Sequence, residues 1–225
     1  MAPNALVIFA KWPVPGQVKT RLCPPLQPDQ AAELARCFLI DTVERVCSLK
    51  DVQVWLAFTP SDTEPLFREL LPSSVRYLPQ RGKDLGEREL NIFIDLLGKE
   101  AATVAIMGSD IPSVPLASLQ TAFAFLKYPG CDAVFGPSSD GGYYFVGAKA
   151  VHASLFEDIE WSTEKVLRQT LGQACLRKLH VSLIPAWYDI DTIEDLQQLA
   201  KQLARLRDDE DAPRTRAFLK RIAFL

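Results

Sequence analysis

The sequence predicts an α/β fold: a single domain built as a three-layer α/β/α sandwich around a mainly parallel mixed sheet. Three observations lead there. Short apolar runs that suit buried strands alternate with segments whose apolar residues recur at helical spacing. Those strand runs are apolar at consecutive positions, the pattern of strands covered on both faces. No internal repeat, low-complexity tract or long linker interrupts the alternation. The domain is therefore set at residues 1–205, with 206–225 as a C-terminal helical tail.

Taken in order, Ala5 to Ala10 is the first strand, rich in Val, Ile and Phe. It runs into Lys11-Trp12-Pro13-Val14-Pro15-Gly16-Gln17-Val18-Lys19-Thr20-Arg21-Leu22. Pro13 and Pro15 stiffen this loop, Gly16 permits positive φ or close approach of a ligand, and Lys11, Lys19 and Arg21 supply charge. A strand that ends in a stiff basic loop and hands over to a helix is suited to holding phosphate. Solvated cations on an ordinary strand-to-helix loop are the plainer alternative.

Asp29 to Ser48 has helical spacing through Leu34, Phe38, Val43 and Val46, with Asp29 as the expected cap. Asp51 to Phe58 is the second strand, and Thr59-Pro60-Ser61-Asp62 breaks it and opens a short helix to about Leu71. Val75 to Leu78 is a brief third strand, followed by a polar loop at 80–86 and a helix from Glu87 to Gly98. Thr103 to Met107 is the fourth strand and stops at Gly108-Ser109-Asp110-Ile111-Pro112. A helix from Leu116 to Leu126 leads to a fifth strand, Asp132 to Phe135, which ends in Gly136-Pro137-Ser138-Ser139-Asp140-Gly141-Gly142. Tyr143 to Gly147 follows at once as the far arm of a hairpin. The next helix is expected to begin near Trp161-Ser162-Thr163-Glu164, capped by Ser162 or Thr163, and to run to Cys175. His180 to Ile184 is a last strand, and Asp189-Ile190-Asp191 leads into a helix capped by Thr192 and ending near Ala204. The tail either packs on the domain as a helix or contacts a second subunit of a homodimer.

Composition narrows the function. Of 225 residues, 48% are hydrophobic and 24% charged, and the formal net charge is −3, so nothing global favours nucleic acid or an anionic membrane. No apolar run approaches the length of a membrane span, and Met1 to Asn4 lacks the basic start of a signal peptide. Five scattered cysteines without a CxxC pair point to a reducing cytoplasm. Two histidines leave carboxylates to hold any metal, which implies Mg²⁺ or Mn²⁺. Neither GxxxxGK[ST], GxGxxG nor GxSxG occurs, so a Walker-type NTPase or dinucleotide dehydrogenase does not fit, and nucleophilic-serine hydrolysis is weakly supported.

Asp110, on a rigid turn at a strand end, suits Mg²⁺ when substrate phosphates supply further oxygens; a turn or cap aspartate is the alternative. Asp140 carries the same ambiguity, while Gly141 and Gly142 let a ligand approach the backbone. Of Asp189 and Asp191, one is expected to cap the helix and the other to hold metal; spacing does not say which.

These residues carry a resemblance. The stretch Phe9 to Leu22 is similar to the opening signature of a bacterial family of glycosyltransferase A-like (GT-A-like) proteins, DUF2064-type transferases of the nucleotide-diphospho-sugar transferase fold. Asp84-Leu85-Gly86-Glu87-Arg88, Gly108 to Pro112, Gly136 to Tyr144, Trp161-Ser162-Thr163 and Asp189 to Leu196 match in order, over roughly residues 5–200. A fainter similarity links Lys19-Thr20-Arg21 to sugar-1-phosphate nucleotidyltransferases and phospholactate guanylyltransferases. The resemblance implies a metal-dependent transferase acting on a nucleotide-diphospho-sugar and a small-molecule acceptor. A nucleotidyltransferase joining an NTP to a phosphorylated acceptor is the alternative, and a non-catalytic nucleotide binder the third. Ser109-Asp110-Ile111 stands where sugar transferases of this fold carry Asp-x-Asp. Lys19, Asp110 and Asp140 are the candidate catalytic residues, and Asp110, Asp189 and Asp191 the candidate metal ligands. Lys11, Pro15, Gly16, Lys19, Arg21, Arg88, Ser109, Gly141 and Gly142 are the candidate nucleotide-binding set.

Overall fold

The structure, a computed structural model, describes residues 3–206 and 211–224. Residues 1 and 2, at the start read for a signal peptide, and 207–210 and 225 of the expected tail lie outside the described residues. One sheet organises the chain. Its seven strands run in the order β3 (Arg76–Pro79), β2 (Val52–Thr59), β1 (Asn4–Lys11), β4 (Thr103–Gly108), β6 (Tyr143–Ala148), β5 (Ala133–Pro137), β7 (Val181–Leu183). β1 pairs in parallel with β2 and β4, β2 with β3, and β5 with β7; only β6 runs antiparallel, between β4 and β5. The fold class is as the alternation predicts: an α/β sandwich with a mainly parallel mixed sheet.

Side-chain alternation along β1 divides the core. Leu6, Ile8 and Ala10 face one way, against helices α1 (Pro28–Cys47) and α4 (Leu116–Lys127). Ala5 and Val7 face the other way, against α3 (Leu85–Leu96) and α5 (Val166–Leu176). Because both faces are covered, every position from Ala5 to Ile8 is buried, which is why β1 reads as an unbroken apolar run. Full burial of each larger side chain contributes about 1.5–3 kcal/mol. α2 (Glu64–Leu70) covers the edge near β2 through Phe67.

A third cluster lies outside the sandwich. Leu34 and Phe38 of α1 pack with Leu196, Leu199 and Leu203 of α6 (Ile193–Leu203) and with Phe218 and Leu219 of α7 (Pro213–Arg221). The buried Asp41 carboxylate of α1 accepts the backbone N–H of Arg214 at 3.2 Å and of Thr215 at 2.8 Å, capping α7 from another helix. The described part of the tail is thus a helix docked on the domain.

Several boundaries differ from expectation at caps. Gln27, with Gln30, forms the capping box of α1, and Asp29 lies inside the first turn instead. Asp84 caps α3 by accepting the Glu87 N–H at 2.8 Å, so the helix starts at Leu85. α5 starts only at Val166, and neither Ser162 nor Thr163 caps it; Thr163 Oγ1 donates to the Glu160 carbonyl at 2.7 Å in the preceding turn. Thr192 does cap α6, in a capping box with Asp195.

Candidate functional site

Chain order makes the cleft. From β1 the chain goes to β2 on one side and later returns to β4 on the other, so the loops after β1 and β4 diverge from neighbouring strand ends. The antiparallel β6 leaves β5 parallel to β4, so the Asp140 loop after β5 opens at the same carboxyl edge.

The basic loop is held in shape before it reaches the cleft. Trp12 N–H donates to the Thr59 carbonyl at 2.8 Å, and Lys11 Nζ donates to the Gln17 carbonyl at 3.3 Å. Gly16 adopts φ +74° and Lys19 adopts φ 48°, ψ 37°. A left-handed lysine costs about 1–2 kcal/mol, and here it turns the side chain inward. Its Nζ lies 2.5 Å from Asp110 Oδ2 and 2.7 Å from Asp191 Oδ1. Burial alone would depress the Lys19 ammonium, but the charges of Asp110 and Asp191 outweigh it and hold the group above its ordinary value.

The acidic loops are tied to one another. Ile190 N–H donates to the Asp110 carbonyl at 3.2 Å, and Ser138 Oγ donates to Asp189 Oδ1 at 3.0 Å. Thr42 Oγ1 of α1 donates to the Ser109 carbonyl at 3.2 Å. Asp110, Asp189 and Asp191 each offer one oxygen, and all three oxygens lie within 4.8 Å of one another. The expectation that either Asp189 or Asp191 would cap α6 is corrected, because Thr192 takes that role and leaves both carboxylates in the cleft. Asp189 is pushed up to about 6, first by burial, then by the charges of Asp110 and Asp191 and least by Asp140. A hard, all-oxygen donor set with excess negative charge fits Mg²⁺ or Mn²⁺.

Two cavities meet at this cluster and share Gly108, Asp110 and Asp191. The narrower, about 320 Å³, lies on the β1 side and takes in Lys11, Pro13, Lys19 and Ser109. The wider, about 540 Å³, lies on the β5–β6 side and takes in Arg21, Asp140, Gly142, Trp161, Glu164 and Asp189.

Of the expected site residues, Lys11, Lys19, Arg21, Ser109, Asp110, Asp140, Gly142, Asp189 and Asp191 therefore line one cavity or the other. Asp140 Oδ1 accepts the Gly142 N–H at 2.9 Å, which fixes the carboxylate at the mouth of the turn. Pro15, Gly16 and Gly141 line neither. Gly141 shapes the turn: at φ +88°, a Cβ there would lie 2.2 Å from the Glu164 carbonyl oxygen. Arg88 also lines neither, and its guanidinium turns back to donate to the Gly82 carbonyl at 3.1 Å.

Two contributors escaped the sequence reading. Glu89 of α3 is buried, and its Oε2 lies 2.6 Å from the Tyr143 hydroxyl, beneath the wall that Tyr143 gives the wider cavity. Burial raises Glu89 to about 8, offset in part by that hydrogen bond, which shifts the balance toward the protonated carboxyl at neutral pH. The signal was present: Glu89 falls on the stripe of Gly86, Ile92, Phe93 and Leu96. Trp161 is pressed so closely on Gly86 that a Cβ there would lie 2.4 Å from the indole, and it also lines the wider cavity.

Comparison with known proteins agrees with this architecture. Residues 42–163 match the family described as "Uncharacterized protein conserved in bacteria (DUF2064)". The chain belongs to this family. A crystal structure from Desulfovibrio desulfuricans G20, assigned provisionally as a nucleotide-diphospho-sugar transferase, is 30% identical, with TM-score 0.90, over 99% of this chain and 96% of that one. A Methanothermobacter nucleotidyl transferase superposes with TM-score 0.61 at 16% identity, over 90% of this chain and 98% of its own. CMP:2-keto-3-deoxy-manno-octonic acid synthetase complexed with CTP gives TM-score 0.59 at 11% identity, over 91% and 99%. The last two establish the shared fold alone. No curated protein matched by sequence. Among the described residues, no helix is long and apolar enough to cross a membrane.

Proposed function

We propose that this chain is a metal-dependent GT-A-type glycosyltransferase that uses a nucleotide-diphospho-sugar. The observation that carries the reading is the Lys19 ammonium bridging Asp110 and Asp191 at the junction of two cavities. Charge on both signs is thereby concentrated where a leaving diphosphate has to be stabilised. The 30% identical relative, provisionally a nucleotide-diphospho-sugar transferase, supports it.

In this reading Lys11, Lys19 and Ser109 bind the diphosphate in the narrower cavity, and Arg21 reaches it from the wider side. Asp110, Asp189 and Asp191 would hold Mg²⁺ or Mn²⁺, which supplies further neutralisation of phosphate charge. Asp140 accepts the proton of the acceptor hydroxyl as its oxygen bonds to the anomeric carbon and the bond to the nucleoside diphosphate breaks. Gly142 keeps the turn low enough for the acceptor to approach. The transferase is assigned to residues 1–205, with 206–225 as its tail. Five unpaired cysteines support a cytoplasmic setting.

One observation favours nucleotidyl transfer as the second reading: a single carboxylate, Asp110, follows β4 beside Lys19-Thr20-Arg21. Melting temperatures with Mg²⁺ and either nucleoside triphosphates or UDP- and GDP-sugars decide between them. Selective stabilisation by a sugar nucleotide, with slow release of nucleoside diphosphate, supports glycosyl transfer; triphosphate preference with pyrophosphate release supports the second reading. Stabilisation that needs no metal, unchanged in Asp110→Asn, would leave a plain nucleotide binder, because the linkage would then bypass the aspartates.

A further inference from the structure

Charge is divided unequally between the two cavities. Apart from the shared Asp110 and Asp191, the narrower one presents Lys11 and Lys19 and no carboxylate. The wider one presents a single cation, Arg21, against Asp140, Glu164 and Asp189. A divalent ion on the three aspartates, with Lys19 beside it, would cancel their three negative charges. Asp140 and Glu164 would still outnumber Arg21. A polyanion entering this cavity therefore meets net repulsion across walls that exclude part of the screening solvent.

The rest of the wall sets apolar and aromatic side chains beside the hydroxyl-bearing Ser138, Ser162 and Thr163. Trp161 is pinned against Gly86 by contact, Tyr143 is anchored through Glu89, and Leu85 and Val166 line the same cavity. Such a surface suits the carbon-bound hydrogens of a polyhydroxylated ring or a short aliphatic alcohol.

We infer that the wider cavity takes an uncharged or cationic hydroxyl compound, such as a sugar, polyol or amino alcohol, and discriminates against phosphorylated acceptors. Glu164 is the specificity-determining charge. The inference rests on the glycosyl-transfer reading of the same site. It also deepens it, since nucleotidyl transfer to a phosphorylated acceptor would need this cavity to welcome an anion. Glu164 can hold that role without a part in folding: its side chain is exposed, and it is the main-chain carbonyl that packs on Gly141.

The test is saturation-transfer NMR on the full chain with Mg²⁺ and UDP or GDP. Matched pairs are compared: glucose with glucose 6-phosphate, glycerol with glycerol 3-phosphate, and ethanolamine with phosphoethanolamine. At least one unphosphorylated member is expected to bind about tenfold more tightly than its ester, which corresponds to about 1.4 kcal/mol. That ratio should shrink in Glu164→Gln and reverse in Glu164→Lys, with melting temperatures near wild type. Equal or tighter binding of the esters, no contrast in any pair, or a contrast indifferent to both Glu164 variants overturns the inference. Nucleotide signals in the same spectra separate the two levels. If neither UDP nor GDP binds, the nucleotide-donor reading fails; if one binds while the esters win, only the acceptor inference fails.

Discussion

Acidification from pH 7 to pH 5 is expected to weaken divalent-cation binding at the aspartate cluster about tenfold, with the loss passing through Asp189. Burial and the neighbouring charges of Asp110 and Asp191 raise this carboxyl to about 6 from an ordinary 3.8. A metal takes the ionised form. At a value of about 6, roughly nine-tenths of the sites are ionised at pH 7 and roughly one-tenth at pH 5, which gives the tenfold loss. Stability of the metal-free protein moves the other way. The folded-state value lies above the unfolded one, so the contribution of Asp189 is fully present below about pH 4. It is lost between about pH 4 and 6, by at most about 3 kcal/mol and less where solvent reaches the group. Mn²⁺ titrations by calorimetry at pH 5, 6 and 7, alongside urea melts of the metal-free protein, measure both slopes. Asp189→Asn should bind Mn²⁺ more weakly at pH 7 and show little further loss on acidification. An affinity constant across that range in the wild type, or an undiminished slope in the variant, refutes the assignment of Asp189.

Other consequences are open to direct measurement. Gly141→Ala is expected to destabilise the fold by about 2 kcal/mol or more, since the new Cβ combines a left-handed φ with a clash against unyielding backbone; a urea midpoint near wild type would contradict the packing of the Asp140 turn on Glu164. Glu89→Gln keeps a hydrogen-bonding group for Tyr143 but cannot ionise. Because Glu89 is raised to about 8 from 4.5, its contribution to stability is present below about pH 4.5 and lost as pH rises to about 8. The wild-type advantage over this variant should therefore shrink with rising pH and level off near pH 8, as chemical melts at several pH values would reveal. Lys19→Met should lower kcat/KM about 100-fold or more, in the range lost when one preorganised donor to a developing anion is removed. Steady-state kinetics with the sugar nucleotide identified by melting would measure that loss, and a drop of less than tenfold would remove Lys19 from the chemistry.

Local sequence fixed much of the architecture because strand and helix periodicity are short-range consequences of covering two faces of a sheet. The apolar run Ala5 to Ala10, the stop at Gly108 and the cap at Thr192 each encode their element within a few residues. The basic loop and the three acidic loops were legible for the same reason: Pro, Gly, Asp and Lys mark strand ends by their own backbone and charge properties. Where those ends lead is another matter. The turn at 136–142 encodes the antiparallel pairing of β6 with β5, but that β6 would insert beside β4 depends on which distant segments pair, and no local pattern encodes it.

The same distinction separates the site from its ingredients. Sequence determined that Lys19, Asp110, Asp140, Asp189 and Asp191 would stand on loops of an α/β domain. Only tertiary structure decided that Lys19 bridges Asp110 and Asp191, residues 91 and 172 positions away. It likewise turned Arg88 back to Gly82 and buried Glu89 against Tyr143. The physical reason is that charge and backbone preference belong to each residue alone. The electrostatic field and the space around that residue come from segments which fold against it from far along the chain.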